Sequence, residues 1–196
     1  VQGALVRVER SLDERAGAPQ ELGEGGFRKG EGSVLLTAVT AGGAGGGGAV
    51  EHGGALAVRL DYRRTRPVER AHFSVALRRV GTDTSLVDLT TEASGAGTVA
   101  LADRGAVELV LDRVDLAPGE YWVDAGAYAG DWEVPYDYRW DSVRVVVAGP
   151  GGSGPVQPPH RWRNPVAPPP VTTAPPVGGL TPPAPPGRGS GAGSAR

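Results

Sequence analysis

The sequence predicts an all-β protein: an antiparallel, immunoglobulin-like or jelly-roll sandwich of about eight or nine strands. Three observations predict this fold. Several segments alternate apolar and polar residues with a period of two, as a strand with one buried face does. Turn signals rich in Gly, Pro and Asp separate these segments. None of the segments has the period of a helix.

The first third of the chain contains two candidate strands separated by polar, Gly-rich sequence. Residues 3–10, GALVRVER, form the first candidate, and the β-branched, apolar residues 33–41 form the second. A glycine-dominated segment follows at 41–54. Because glycine loses the most conformational entropy on ordering, we expect this segment to be a flexible loop between strands.

The alternating pattern is clearest in the middle of the chain. Candidate strands with this pattern are residues 55–63, 70–80, 85–92, 105–116, 120–127 and 141–149. A Pro-Gly turn at Pro118 and Gly119 separates two of them. In the last strand, Val143, Val145 and Val147 share one face, which we expect to be buried.

The composition places the sandwich at residues 1–149 and a disordered tail at 150–196. The chain contains 32 glycines and 18 prolines, and fourteen of these prolines lie between Pro150 and Pro186. Such a segment has too little apolar surface to offset its ordering entropy, and its prolines favour polyproline II conformation. A Pro-rich docking ligand is the alternative interpretation of the tail.

Charge and residue usage exclude several kinds of function. A net charge of -2 gives no reason to expect nucleic acid as a partner. The Gly-rich segment around Lys29 lacks the order G-x-x-x-x-G-K-[ST] and a following helix, so no phosphate-binding loop is expected. His52, His72 and His160 are far apart, so we expect neither a metal nor a cofactor, and we expect His72 to be solvated on the polar face of its strand.

The start of the chain, its apolar runs and its lack of Cys bear on where in the cell the protein is expected to be. The chain starts at Val1 and contains no Met, which we interpret as a piece of a longer protein. No apolar run is long enough to span a bilayer, and no signal peptide is visible. The absence of Cys favours the cytoplasm over an oxidising compartment.

Aromatic residues are concentrated in one part of the chain. Seven of the 11 aromatic residues lie between Tyr121 and Trp140. On the strand after Pro118, Tyr121 shares its face with Val123 and should be core, whereas Trp122, Asp124 and Tyr128 share the opposite, wetter face.

The next strand continues this aromatic cluster. If it runs unbroken into Val143 and Val145, then Tyr136, Tyr138 and Trp140 lie on the outer face. A β-bulge at Pro135 would reverse this parity. The alternative is a hairpin in which Trp122, Tyr138 and Trp140 only pack on one another across strands.

Exposed rings beside charged side chains are typical of a saccharide site. Rings stack on the apolar faces of sugars, while carboxylates and guanidinium groups bind the hydroxyls. The candidate carbohydrate-binding residues are Trp122, Asp124, Tyr128, Tyr136, Tyr138, Arg139, Trp140 and Asp141.

The acidic residues around the cluster leave a glycoside hydrolase open as an alternative. Such an enzyme needs two carboxyls about 5–10 Å apart, one of them with a raised pKa. The sequence alone does not give that distance. A serine-hydrolase nucleophile elbow is absent, because no G-x-S-x-G occurs.

The stretch DLAPGEYWVDAGAYAGDWEVPYDYRWDSVRVVV resembles the C-terminal, carbohydrate-binding domain of polysaccharide (O-antigen-type) ABC-transporter ATP-binding proteins, the Wzt-like C-terminal domain. The family pattern has an L-x-P-G-x-Y turn, an aspartate-rich aromatic hairpin and a terminal F-x-V-like strand. The corresponding residues are Leu116, Pro118, Gly119, Tyr121, Asp137, Tyr138, Asp141, Val145 and Val147. Here Val145 replaces the usual Phe, while PPHRW at 158–162 resembles the way many members end.

The resemblance covers about residues 1–162 and implies a function. It implies an immunoglobulin-like sandwich that recognises the polysaccharide or lipid-linked glycan to be exported, without chemistry of its own. It implies a homodimer that works with the ATPase and the membrane subunits of the transporter, in the cytoplasm at the inner face of the membrane. The ATPase domain would precede Val1. A secreted or cell-wall structural or adhesion sandwich is the other alternative, with a signal peptide upstream.

Overall fold

A computed structural model describes residues 20–22, 26–43, 47–152 and 154–162. These residues contain eleven strands and no helix. The strands are β1 (Gln20–Glu21), β2 (Phe27–Lys29), β3 (Val34–Gly43), β4 (Ala49–Glu51), β5 (Leu56–Arg64), β6 (Arg70–Arg79), β7 (Ser85–Thr90), β8 (Val99–Ala100), β9 (Arg104–Leu111), β10 (Gly119–Tyr128) and β11 (Pro135–Ala148).

The strands form two sheets. The large sheet has eight strands in the order β1-β2-β11-β10-β6-β7, with β4 paired to β11 and β8 paired to β6. The small sheet has the order β3-β5-β9. Every pairing is antiparallel except that of β4 with β11. The predicted all-β, antiparallel sandwich is therefore confirmed.

The hydrophobic core lies between the two sheets. Alternate residues of β5 and β10 supply much of it, as the period-two pattern predicts. Fully buried members from the two sheets include Leu36, Val58, Leu60, Leu77, Val123 and Val145.

The turn before β10 ends in a tyrosine corner. Tyr121 is 0% exposed, so its prediction as a core residue is confirmed. Its hydroxyl donates a hydrogen bond of 2.6 Å to the carbonyl oxygen of Ala117, four residues upstream. This contact fixes the path of the L-x-P-G-x-Y segment as it enters the large sheet, as tyrosine corners do in immunoglobulin-like sandwiches.

The Gly-rich segment is more regular than expected. Strand β3 continues to Gly43, and β4 lies within the segment that was predicted to be only a loop. The prediction is wrong for these residues because β4 pairs with β11, aligning Val50 with Val147. Val50 is buried, so a contact distant in sequence orders the backbone.

Predictions for the two ends extend beyond the described residues. The first candidate strand, 3–10, and positions 163–196 of the predicted tail lie outside them. Within the predicted tail, the backbone N–H of Gln157 donates to the carbonyl of Asp115 at 2.7 Å, and Val156 bridges to Leu116. Paired backbone thus continues to Gln157, past the expected domain boundary at 149.

Candidate functional site

Five aromatic side chains form a continuous row on the outer face of the large sheet. The ring centroids of His72 and Trp132 are 4.5 Å apart, and those of Trp132 and Tyr128 are 5.0 Å apart. Tyr128 lies 6.3 Å from Tyr138, which contacts Trp140 edge-on at 4.5 Å. We call these five residues the ring row. They come from β6, the β10–β11 loop, β10 and β11.

The hairpin loop between β10 and β11 places Trp132 over the sheet. Trp132 has a φ of 62°, which is rare for a residue with a bulky side chain. Its indole N–H donates a hydrogen bond of 2.7 Å to the Glu92 carboxylate. The ring then covers His72, which is only 4% exposed. The expectation that His72 is solvated is wrong, because the β10–β11 loop folds over β6 and places Trp132 on the imidazole ring.

Tyr128 forms the floor of the ring row. Its ring lies against the backbone of Gly126, where an added Cβ would come within 2.5 Å of a ring carbon. Its hydroxyl hydrogen-bonds to Ser74, and burial raises the pKa of this hydroxyl. Tyr128 is 3% exposed and Asp124 2%, so the face that we expected to be wet is covered there. Tyr128 therefore supports the other rings from below.

Tyr138 and Trp140 lie on the outer face, as their parity predicts. Both are half-buried, and Tyr138 pairs with Gly126, on the same face as Trp122 and Tyr128. Strand β11 does contain a bulge before Val143, where it has more residues than the paired segment of β10. The number of extra residues is even, so Tyr138 and Trp140 stay on the outer face. Burial raises the pKa of the Tyr138 hydroxyl, which therefore remains a hydrogen-bond donor at neutral pH.

A charged cluster holds this bulge in place. The Asp124 carboxylate accepts a hydrogen bond of 2.8 Å from the N–H of Asp141, and its other oxygen lies 3.3 Å from Nε of Arg78. Arg78 also pairs with the carboxylate of Asp141. Asp141 has a φ of 51°, a left-handed conformation that the cluster must stabilise. Asp124 is thus a positioning residue, while Arg78 and Asp141 remain partly exposed beside Trp140.

Trp122 lies on the same face, outside the ring row. The guanidinium carbon of Arg144 lies 4.8 Å from the centroid of its ring, a cation–π contact. Arg144 also pairs with Glu120 at 3.3 Å. The guanidinium group of Arg144 covers part of the Trp122 ring, which is half-buried. The rest of the indole is exposed to solvent beside the charged cluster.

Arg139 and Tyr136 do not join the ring row. Arg139 pairs with Ala125 on the core-facing side, and its guanidinium lies 3.4 Å from the carbonyl oxygen of Leu36 in the small sheet. Tyr136 packs against the hydrophobic core. The parity expectation fails for Tyr136 because the register shifts where Tyr128 pairs with Pro135, so that Tyr136 is the extra residue.

Sequence reasoning missed three features of this face. Phe27 is 42% exposed and pairs with Trp140, which adds an open ring to the end of the row. Asp88 faces Ala76 on the same side of the sheet, and no cation of the described residues forms an ion pair with it. Trp132 lay inside the aromatic stretch, and its place in that stretch was the only sequence signal for it. Phe27 carried no local signal, because β2 has only three residues.

Two further observations concern chemistry and membranes. Among the residues that the structure describes, no group of three or more His, Cys, Asp or Glu side chains is placed to hold a metal ion. The same part of the chain contains no helix long and apolar enough to cross a membrane.

A search of solved structures finds a protein of similar architecture, described as the crystal structure of the C-terminal domain of wzt. The match has a TM-score of 0.65 at 18% sequence identity, and it covers 78% of this chain and 98% of that chain. The chain has the fold of the C-terminal domain of wzt. No protein-family model and no curated protein matches the chain.

Two buried carboxyls make stability depend on pH. Burial raises the pKa of Asp124 and of Asp137 above the usual value, although nearby arginines act in the opposite direction. Between the unfolded-state pKa of about 3.9 and the raised folded-state pKa, the folded protein binds more protons than the unfolded chain. These groups therefore stabilise the fold most below pH about 4, and this contribution is lost as pH rises through the folded-state pKa.

We expect the Asp124→Asn variant to show a smaller loss of unfolding free energy between pH 4 and pH 7 than the parent protein. Urea unfolding of both proteins across this range measures the two slopes. Equal slopes would contradict the assignment of this pH dependence to Asp124.

Proposed function

We propose that this chain is a carbohydrate-binding domain that recognises the glycan exported by a polysaccharide ABC transporter, and that it catalyses no reaction itself. The ring row is the observation that carries the proposal. It offers half-buried, open rings at Tyr138 and Trp140 beside the partly exposed charges of Arg78 and Asp141. Aromatic faces stack on sugars, and ionised groups hydrogen-bond to their hydroxyls.

The fold likeness to the C-terminal domain of wzt supports the transporter context. In this context the partners are a polysaccharide or lipid-linked glycan, the ATPase and the membrane subunits of the transporter, and a second copy of the chain in a homodimer. The domain then works in the cytoplasm, at the inner face of the membrane.

The residues that we propose for sugar binding differ in part from those expected from the sequence. Trp122, Tyr138 and Trp140 remain the stacking candidates, and Phe27 extends them. Arg78 joins Asp141 as a hydroxyl partner, whereas Asp124 acts by holding the bulge.

Replacing Trp140 with alanine should weaken glycan affinity about tenfold, because a stacked ring contributes roughly 1–2 kcal/mol. The thermal unfolding midpoint should stay near that of the parent protein, since Trp140 is only half-buried. An array of neutral and acidic oligosaccharides identifies a binding glycan, and isothermal titration calorimetry with that glycan measures the affinity.

Val110→Ala is the control, because Val110 is 55% exposed on the outer face of the small sheet. It should bind as the parent protein does. The proposal fails if Trp140→Ala binds with unchanged affinity while remaining folded. Cleavage of the oligosaccharide during the titration would contradict the non-catalytic part of the proposal.

A further inference from the structure

The outer face of the small sheet contains a shallow depression of about 600 Å³. This sheet lies across the core from the ring row, so the depression is a separate surface. The residues that line it are Thr37, Arg59, Asp61, Tyr62, Arg63, Arg104, Gly105 and Ala106. The three arginines contribute guanidinium groups, and Asp61 contributes a carboxylate.

Two of the arginines stand directly opposite each other. Arg63 of β5 and Arg104 of β9 are cross-strand partners, so their side chains leave the sheet on the same side. Both side chains are exposed, and among the described residues neither has an ion-pair partner. Like charges directly opposite on paired strands destabilise a sheet. A bound anion between the two guanidinium groups would remove this repulsion.

The neighbouring acidic groups do not neutralise the pair. Asp61 is bound to Arg59 at 2.9 Å, and Asp103 pairs with Arg64. Glu108 pairs across the strands with Arg59, four residues along β9 from Arg104, or about 13 Å away. The local excess of positive charge therefore lies at Arg63 and Arg104.

We propose that Arg63 and Arg104 bind a phosphate group. One guanidinium group can satisfy a carboxylate with two parallel hydrogen bonds. Two guanidinium groups from adjacent strands, with the exposed hydroxyl of Thr37 on the same lining, provide donors for the three or more oxygens of a phosphate. The ligand is a phosphomonoester or a phosphodiester. The proposal does not depend on glycan binding by the other sheet.

The test is a titration of the full chain with inorganic phosphate at constant ionic strength, followed through the arginine Nε–H resonances. We expect saturable shifts at Arg63 and Arg104, and at least about tenfold weaker binding in Arg63→Gln and in Arg104→Gln. Arg79→Gln is the matched control, because it removes the same charge from an exposed arginine of the large sheet. Non-saturable shifts, or equal weakening by Arg79→Gln, would overturn the proposal.

Two further ligands distinguish the source of the phosphate. Glycerol 1-phosphate presents a soluble phosphomonoester, and vesicles of phosphatidylglycerol in phosphatidylcholine present a phosphodiester headgroup. Binding to glycerol 1-phosphate that depends on Arg63 supports the site and indicates a soluble phosphomonoester. Binding to the phosphatidylglycerol vesicles but not to pure phosphatidylcholine, again dependent on Arg63, supports the site and indicates a lipid headgroup. Binding of neither ligand, together with a negative phosphate titration, overturns it.

Discussion

Replacing Asp137 with alanine should lower the free energy of unfolding by about 3–5 kcal/mol, the usual cost of removing one partner from a buried ion pair. Asp137 is 1% exposed. Its carboxylate accepts a hydrogen bond of 2.7 Å from the N–H of Leu36 and lies 2.8 Å from Nε of Arg28. These contacts join β11 to β2 and to β3 of the opposite sheet.

The arginines around Asp137 explain the size of the effect. Arg28 and Arg139 both donate to the carbonyl oxygen of Leu36, so their two positive charges lie close together. Burial, and then the positive charge of Arg28, lower the pKa of Arg139. Without the carboxylate, both cations and the N–H of Leu36 lose their counterpart. Urea unfolding measures the change.

A matched control and a conservative variant sharpen this test. Asp61→Ala removes a carboxylate from the more exposed pair with Arg59 and should cost no more than about 1 kcal/mol. Asp137→Asn keeps an acceptor for Leu36 and should fall between parent and Asp137→Ala. If Asp137→Ala is as stable as Asp61→Ala, Asp137 does not join the sheets as described.

Replacing Asp124 with alanine should cost about 3 kcal/mol of stability and should also weaken glycan binding. Asp124 is 2% exposed and holds both the N–H of Asp141 and the guanidinium group of Arg78. Without it, the left-handed conformation of Asp141 loses its support, and Trp140 next to it loses its fixed position.

Calorimetric titration with the glycan, at a temperature where the variant is folded, separates this effect from unfolding. Asp124→Asn keeps an acceptor for the N–H of Asp141, so it should bind more tightly than Asp124→Ala. A folded Asp124→Ala that binds as well as the parent would show that the bulge does not position the binding face.

The strand pattern predicted the fold because burial of alternate residues is a local property. The alternation along β5 matches its buried residues, and the shared parity with Val123 correctly placed Tyr121 in the core. On β10 the alternation predicted the core-facing residues but not the burial of the opposite face at Asp124 and Tyr128. Strand β4 escaped prediction, since its order depends on pairing with β11, about a hundred positions later in the sequence.

The candidate site was harder to predict, because bulges and loops decide which side chains meet. Period-two parity placed Tyr138 and Trp140 on the outer face, and the even-numbered bulge preserved it. The same rule failed for Tyr136, where one extra residue shifts the register. It could not foresee that Trp132 covers His72, because the loop conformation depends on contacts with Glu92 and the sheet beneath.

We propose that the ring row and its neighbouring charges bind a glycan. The most direct measurement is an NMR titration of the labelled full chain with the glycan that binds best on the array, following backbone amides and indole N–H groups. We predict saturable shifts that concentrate at Trp122, Tyr138, Trp140 and Asp141. Saturable shifts confined to the small sheet, with none at these residues, would show that the glycan does not bind at the ring row.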